Sequence, residues 1–524
     1  MAVLCRHWRR RLHSYQSNGA GNFVGWCDPG HPEWDPSYVC NDKLIGAWDY
    51  SDAFCAANPT VCVETDGPHD NDGHGSHTAS TTAGNVLLSP AISGVAPHAN
   101  IISYDVCYVE LGTGDGLCPF SATSAAVDQA ILDGVDVTNY SIGGGSNPWD
   151  GDIDTFFLGA VAAGIFPAAS AGNAGPGAST VAHLGPWMMT VGASTHDRDV
   201  VANQLSNMAG GVSPPADIDG ASRTTGYGPA PIVYAGDFTN GDPDPEQCLN
   251  PFPPATWTDE IVVCDRGTIA RIAKCANVAA GGAAGCVLAN AAAGQSAPVA
   301  DPHVIPSVHI DLTDGDAVRT WLASGTGHMA RITDSVIIGD PALADIMAAF
   351  SSRGPNLRHD TLKPDVTNPG VSIFAAVAND DTLPGDEYGT ISGTSMSSPH
   401  TAGSGALLTA VHPTWSPSEI KSALMMTADT TVLKENGVTP ADAFDHGAGR
   451  VDLTKAALTG LVLDETATNY QDADPGNGGD PSTLNIASYQ QDECVDVCTW
   501  KRTVKSPPPT PTGRSLRRLR WVSR

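Results

Sequence analysis

The sequence has no run of about 18 apolar residues, so no segment of it reads as a membrane-spanning helix. Basic residues are scarce: 27 Lys and Arg stand against 57 Asp and Glu, for a formal net charge of −30. Such an acidic chain repels nucleic acid and anionic membrane surfaces, and the same repulsion favours solubility. Aromatic residues make up only 6%, whereas Gly (56) and Pro (39) are plentiful, the balance of a loop-rich α/β protein. CxxC spacing is absent, which argues against a zinc ribbon. The opening residues, MAVLCRHWRRRLHSYQ, lack the apolar centre of a signal peptide.

What is present bounds the answer further. At 524 residues the chain is too long for one core, so two or three domains are expected. Thirteen cysteines occur; setting aside Cys5 leaves an even twelve. Several are close in sequence: Cys27 and Cys40, Cys55 and Cys62, Cys107 and Cys118, Cys494 and Cys498. This usage points to an oxidising, extracellular compartment, with Cys27–Cys40 and Cys107–Cys118 expected as loop-closing disulfides. Four arginines lie in residues 6–11 and five in 514–524, nine of the 27 basic residues in two short tails without periodicity. We read residues 1–22 and 506–524 as products of a misassigned frame or truncated coding sequence rather than as interaction arms.

Between the tails, residues 92–145 alternate. ANIISYDV reads as a strand, SATSAAVDQAILDG as a helix stopped by glycine, and VDVTNYSI as a second strand. AGIFPAASAGN adds a third strand running into a loop. Alternation of this kind implies a parallel sheet with its site at the carboxyl ends of the strands. Residues 225–335 differ: DEIVVCDRG, AAGCVLAN and HVIPSVHI read as strands, with a helix near 268–280, as in a small inserted α/β module. Residues 336–462 return to the first style. Residues 463–505 are rich in Asp, Gly and Asn, then β-like at CVDVCTWKRTV, and SPPPTPTG is linker-like.

Three fragments carry chemistry. In DGHGSHTAS, a metal site would need HExxH-type spacing, and no Glu follows His74; a set made of His69, His74 and His77 is the weak metal alternative. A buried structural histidine is the plain reading, and a general base at the mouth of a helix of small residues is the sharper one. In YGTISGTSMSSPHTAG, Gly393-Thr394-Ser395 turns into a helix whose first N–H groups lack intrahelical partners, so the Ser395 N–H is free to donate to an oxyanion. Pro399 is tolerable so near the helix start. The G-x-S-x-G elbow is not formed, since GTSMS lacks the final glycine. In AASAGNAGPG, Asn173 is either an ordinary turn residue or the side-chain half of an oxyanion site.

Taken in the order His, Asn, Ser, the segments HGSHTAS, SAGNAGPG and GTSMSSPHTAG resemble those of the subtilases, the subtilisin-like serine peptidases. GVAPHANI, GVDVTNYSIGG, FSSRGPN and LKPDVTNPGVSIFAA support the resemblance, which covers residues 23–500. Ser76 departs from the usual Thr, and Asn368 from the usual Ala. The likeness implies a parallel α/β sheet with helices on both faces, formed by residues 23–224 and 336–462. It also implies a protease-associated domain at 225–335 and a partial fibronectin type III-like β segment at 463–505. It implies peptide hydrolysis through an acyl-enzyme, with catalytic His74, Ser395 and Asn173. Ser141, Gly143 and Gly144 of YSIGGG would take substrate as an added strand. No cofactor or metal is called for, and the partner is a protein or peptide substrate of a monomer.

One element is missing. A serine triad needs a carboxylate to hold the histidine tautomer, and no Asp-Thr-Gly-like motif precedes His74. Asp28 in VGWCDPGHPEW is the candidate within the chain. The expected Asp strand is read as lost upstream, which would leave a sheet edge open in the core. The competing functional class is an inactive binding protein acting through its inserted domain.

Overall fold

The strand–helix alternation read from residues 92–145, and the third strand read in AGIFPAASAGN, are present in the structure. It is a computed structural model that describes residues 2–6 and 23–507, apart from 33, 35, 37, 39, 63–66, 71, 89–90, 112–115, 202–203, 268, 270, 293–297, 299–300, 302, 378–387 and 492–493. Most of both basic tails, at 7–22 and 508–524, and most of the proline-rich linker therefore lie outside the described residues. The chain divides into two compact units, residues 1–195 with 345–524, and residues 196–344.

The first unit is built on an eight-stranded sheet. In chain order its strands are β1 (Ala2–Arg6), β2 (Val24–Gly25), β3 (Leu44–Asp49), β4 (Asn100–Asp105), β5 (Val137–Tyr140), β6 (Phe166–Ser170), β7 (Met189–Ser194) and β8 (Val366–Pro369). Their order across the sheet is β2-β3-β4-β1-β5-β6-β7-β8. Every pairing is parallel except those of β1. Alternation along the strands sends side chains to two cores. Phe166 and Ala168 join Val137, Met189, Ala402, Leu408 and Leu424 on one face. Ala169 and Tyr140 join Tyr104, Ala126, Ala130 and Phe157 on the other. Both faces are therefore covered, as a parallel sheet requires.

The helices that matter here are α1 (His74–Ala83), α2 (Phe120–Asp133), α3 (Ile153–Ala162), α4 (Thr394–Val411) and α5 (Pro417–Met426). Helix α2 stops where its glycine predicts: Gly134 takes φ 64° and its N–H caps the Ala130 and Ile131 carbonyls. Small residues let α4 run through the interior. A Cβ at Gly403 would lie 2.6 Å from Val95 Cβ and 2.8 Å from the Thr82 carbonyl of α1. The two helices that begin with His74 and next to Ser395 are thereby packed side by side.

The expected open edge is corrected by β1. Ala2–Arg6 lies antiparallel between β4 and β5, from Ala2↔Tyr104 to Arg6↔Asn100 on one side and from Ala2↔Tyr140 to Cys5↔Val137 on the other. Two buried strands facing a gap would leave their N–H and C=O groups unpaired, and any extended segment able to satisfy them is favoured over none. The five residues of β1, AVLCR, contain no carboxylate, so the slot is filled without one.

The second unit carries a seven-stranded sheet whose parallel part is Tyr227–Tyr234, Ile261–Asp265, Gly285–Ala289 and Ser307–Ile310, with helices at Arg271–Ala280 and Leu312–Leu322. Disulfides Cys248–Cys264 and Cys275–Cys286 brace it. In the first unit both expected disulfides, Cys27–Cys40 and Cys107–Cys118, are formed, together with Cys55–Cys62 and Cys494–Cys498. The β-like run CVDVCTWKRTV yields only the two-residue strand Val504–Lys505, paired with Val462–Leu463. Upstream of it, Tyr470, Leu484 and Ile486 are packed into the core beside Trp187.

Candidate active site

Helix α4 begins directly after the extended Gly393, and its second residue is Ser395. The Asn173 amide is locked by Thr394. Its Oδ1 accepts from the Thr394 N–H (2.9 Å) and from Thr394 Oγ1 (2.9 Å). With the oxygen doubly occupied, the exposed Nδ2 is the end left to donate. A point marked by a Cβ built on Gly393 lies 3.6 Å from Asn173 Nδ2 and 3.7 Å from the Ser395 N. Two nitrogens able to donate, 222 residues apart in sequence, thus lie within 4 Å of one spot beside the serine, with Asn173 Oδ1 at 3.8 Å. The helix start adds its own partial positive charge there. Such a spot stabilises negative charge developing on an oxygen.

Ser141, Gly143 and Gly144 follow the carboxyl end of β5, and the first of them meets Ser395 directly. Ser395 Oγ donates to the Ser141 carbonyl (3.3 Å), and Ser141 Oγ donates to the Ser395 carbonyl (2.8 Å). The second bond has a cause in the sequence. Pro399 lacks the N–H that would bond the carbonyl four residues back, which is that of Ser395. The Ser141 hydroxyl takes its place. Asn139 of β5 extends the network, donating from Nδ2 to Ser141 Oγ (3.1 Å) and accepting from Ser398 Oγ (2.8 Å). Gly143 and Gly144 are exposed. Sequence reasoning had Ser141 but not Asn139 or Thr394; a polar residue inside the apolar strand VDVTNY was the available signal.

His74 is the first residue of α1, whose N-terminus is held by Asp70. The Asp70 carboxylate accepts from the N–H groups of Gly73 (2.8 Å), Asp72 (3.2 Å) and Ser76 (2.6 Å). Gly73 at φ 85° makes the sharp entry. Burial pushes the His74 pKa below its ordinary value, while Asp72 and Asp70 oppose the shift. A neutral imidazole at neutral pH is the form a general base needs. No hydrogen bond to the His74 ring forms among the described residues, and Ser395 Oγ is turned to Ser141 instead. Apo serine sites commonly show such loose geometry.

The other histidines of the segment are held separately. His77 is buried with Nε2 2.9 Å from the Ile373 carbonyl, and burial lowers its pKa to about 4. His69 packs edge-on to Tyr38 at 5.0 Å. Asp28 follows β2 and accepts the Gly30 N–H (2.8 Å); β3 and β4 stand between its strand and the slot occupied by β1. No hydrogen bond or ion pair joins it to His74 among the described residues.

Residues 27–450 match the family profile described as peptidase S8, Subtilase family. Subtilisin-like protease SBT1.7 of Arabidopsis thaliana is 37% identical over 492 residues, 87% of this chain and 63% of that protein. SBT1.6 of the same plant is 36% identical over 494 residues, covering 87% and 62%, and SBT1.5 is 37% identical over 473 residues, covering 83% and 60%. The chain spans less than two thirds of the length of these curated relatives.

Proposed function

We propose, since the chain belongs to the subtilase family, that it is a serine endopeptidase acting on protein or peptide substrates. Ser395 Oγ attacks the scissile carbonyl while His74 takes its proton and returns it to the leaving amine. The C–N bond breaks, and water then hydrolyses the acyl-serine by the same route reversed. Asn173 Nδ2 and the Ser395 N–H hold the oxyanion. The Ser141–Gly144 segment accepts the substrate as an added strand.

The observation that carries this reading is that Asn173 Nδ2 and the Ser395 N both lie within 4 Å of one point beside Gly393. Since no carboxylate is bonded to His74 among the described residues, turnover about 3 × 10⁴-fold below that of a complete triad is expected, about 6 kcal/mol of transition-state stabilisation. Six disulfides support an extracellular location, and the unit at residues 196–344 supports an inserted protease-associated domain. We take the working form to be a monomer that binds no nucleic acid, given the charge of −30. Fluorophosphonate labelling tests the assignment. Label is expected on Ser395, slowly because no bonded carboxylate orients His74, and none on Ser395→Ala or His74→Ala at neutral pH. Label on another serine overturns it.

A further inference from the structure

We propose that His183 and Asp154 are positioning residues for the Ser141–Gly145 segment, and that His183 does this as an imidazolium carrying a proton on each ring nitrogen. The inference rests on the reading above, in which that segment receives the substrate.

Both side chains are fully buried behind the segment. His183 Nδ1 lies 2.8 Å from Asp154 Oδ1, and Nε2 lies 2.7 Å from the Ile142 carbonyl oxygen. A carboxylate and a backbone carbonyl only accept hydrogen bonds. A neutral imidazole has one donor and one acceptor nitrogen, so either tautomer would set a lone pair against another lone pair. Only the doubly protonated ring satisfies both contacts. Burial alone would drive the proton off, but the Asp154 carboxylate outweighs it and holds the pKa above its ordinary value.

The grip is on alternate carbonyls. The His183 side chain holds that of Ile142, and the His183 N–H holds that of Gly144 (2.9 Å). The Ser141 carbonyl faces the other way, onto Ser395 Oγ. Gly143, next in that alternation, has no hydrogen-bond partner among the described residues and is exposed. The segment therefore presents one edge to Ser395 while the His183–Asp154 pair secures the other. At its end, a Cβ on Gly145 (φ 74°) would fall 2.5 Å from His183 Nδ1, and the Gly145 carbonyl accepts the Leu184 N–H (2.8 Å). Asp154 Oδ2 accepts the Gly185 N–H (2.8 Å), which keeps the carboxylate in line.

The charged and titratable groups around the ring come from each packed element. They are Asp154 of α3, Asp152 at its N-cap, and Tyr140 of β5, edge-on at 5.3 Å. Beyond Thr190, whose hydroxyl donates to the His183 carbonyl, lies the cluster Lys363, Asp365 and Lys421. Because the folded pKa is raised, the clamp is complete below the ordinary histidine value near 6.5 and is lost as pH rises through the folded value.

The test uses the full chain carrying Ser395→Ala, with histidine ring nitrogens labelled for NMR, and fluorescein-labelled β-casein as the unfolded protein probe. Both His183 nitrogens are expected to be protonated at pH 7. The casein Kd is expected to rise at least fivefold over the interval in which His183 loses a proton. Asp154→Asn is expected to move both transitions together to lower pH, and His183→Asn to give weak, pH-independent binding. If Asp154→Asn does not fold, the titration of the parent and the His183→Asn comparison decide. A neutral His183 at pH 7, or casein affinity that stays flat through its titration, overturns the proposal. Absence of casein binding at every pH, with the His183 titration intact, overturns the peptidase reading and this inference with it.

Discussion

Gly393→Ala separates the chemistry of this site from its stability. The glycine has an extended backbone, φ 164°, that any residue adopts. The nearest atoms to an added Cβ are Asn173 Nδ2 at 3.6 Å, the Ser395 N at 3.7 Å and Asn173 Oδ1 at 3.8 Å, all ordinary van der Waals separations. Nothing must shift to admit the methyl group, and the lost flexibility of the unfolded chain works in its favour, so stability should change by less than about 1 kcal/mol. The methyl nevertheless occupies the space beside both nitrogens where the oxyanion is proposed to sit. One lost oxyanion donor costs about 2.7–4 kcal/mol of transition-state stabilisation, or about 10²–10³ in rate. The expected result is an unchanged thermal melt with phosphonylation of Ser395 slowed at least 10²-fold, measured by stopped-time labelling with a fluorophosphonate. A variant that melts as the parent and labels at the parent rate would show that these two nitrogens hold no oxyanion.

Two further outcomes follow from buried groups. Ser141→Ala should destabilise the protein by about 1–3 kcal/mol, the cost of leaving the Ser395 carbonyl without a donor. In a Pro399→Ala background the loss should shrink, because the restored backbone N–H replaces the hydroxyl; equal losses in the two backgrounds, read from urea melts, would refute the link. Lys421 is buried with Lys363 against the single carboxylate Asp365, and burial first, then Lys363, brings its pKa to about 7 despite Asp365. The unfolded chain binds more protons at this site than the folded one between about pH 7 and the ordinary lysine value near 10.4, so the contribution of Lys421 to stability should rise with pH across that window and level off below it. Lys421→Met should remove that contribution, and a stability difference between parent and variant that stays constant from pH 7 to 9 would contradict the assignment.

Much of the candidate site was legible because its pieces are local. Gly393-Thr394-Ser395 sets a turn and a helix start within three residues, and Gly134 stops α2 where it stands. The reading failed where partners are distant. Asp70 carries no signal that sets it apart in the sequence, yet it anchors the start of the His74 helix through three N–H groups. His183, in TVAHLGPW, has no local signal at all; its meaning comes from Asp154 and Ile142, 29 and 41 residues away. The β-like run at 494–504 was misjudged because its alternating apolar residues found no sheet to join: Val495 and Val497 remain more than 80% exposed.

By itself the sequence determined the strands Asn100–Asp105, Val137–Tyr140 and Phe166–Ser170, the helix Phe120–Asp133, the family, and the residues proposed to carry the chemistry. Each of these depends on side chains within a few positions of one another, where backbone propensity and hydrogen bonding to near neighbours decide the outcome. Only the tertiary structure decided that Ala2–Arg6 fills the slot between β4 and β5, that Ser141 caps the carbonyl freed by Pro399, and that His183 clamps the segment beside Ser395. Those contacts join residues tens to hundreds of positions apart. They arise because buried backbone groups must find partners wherever the sheet order brings chain segments together, and no local pattern specifies that order.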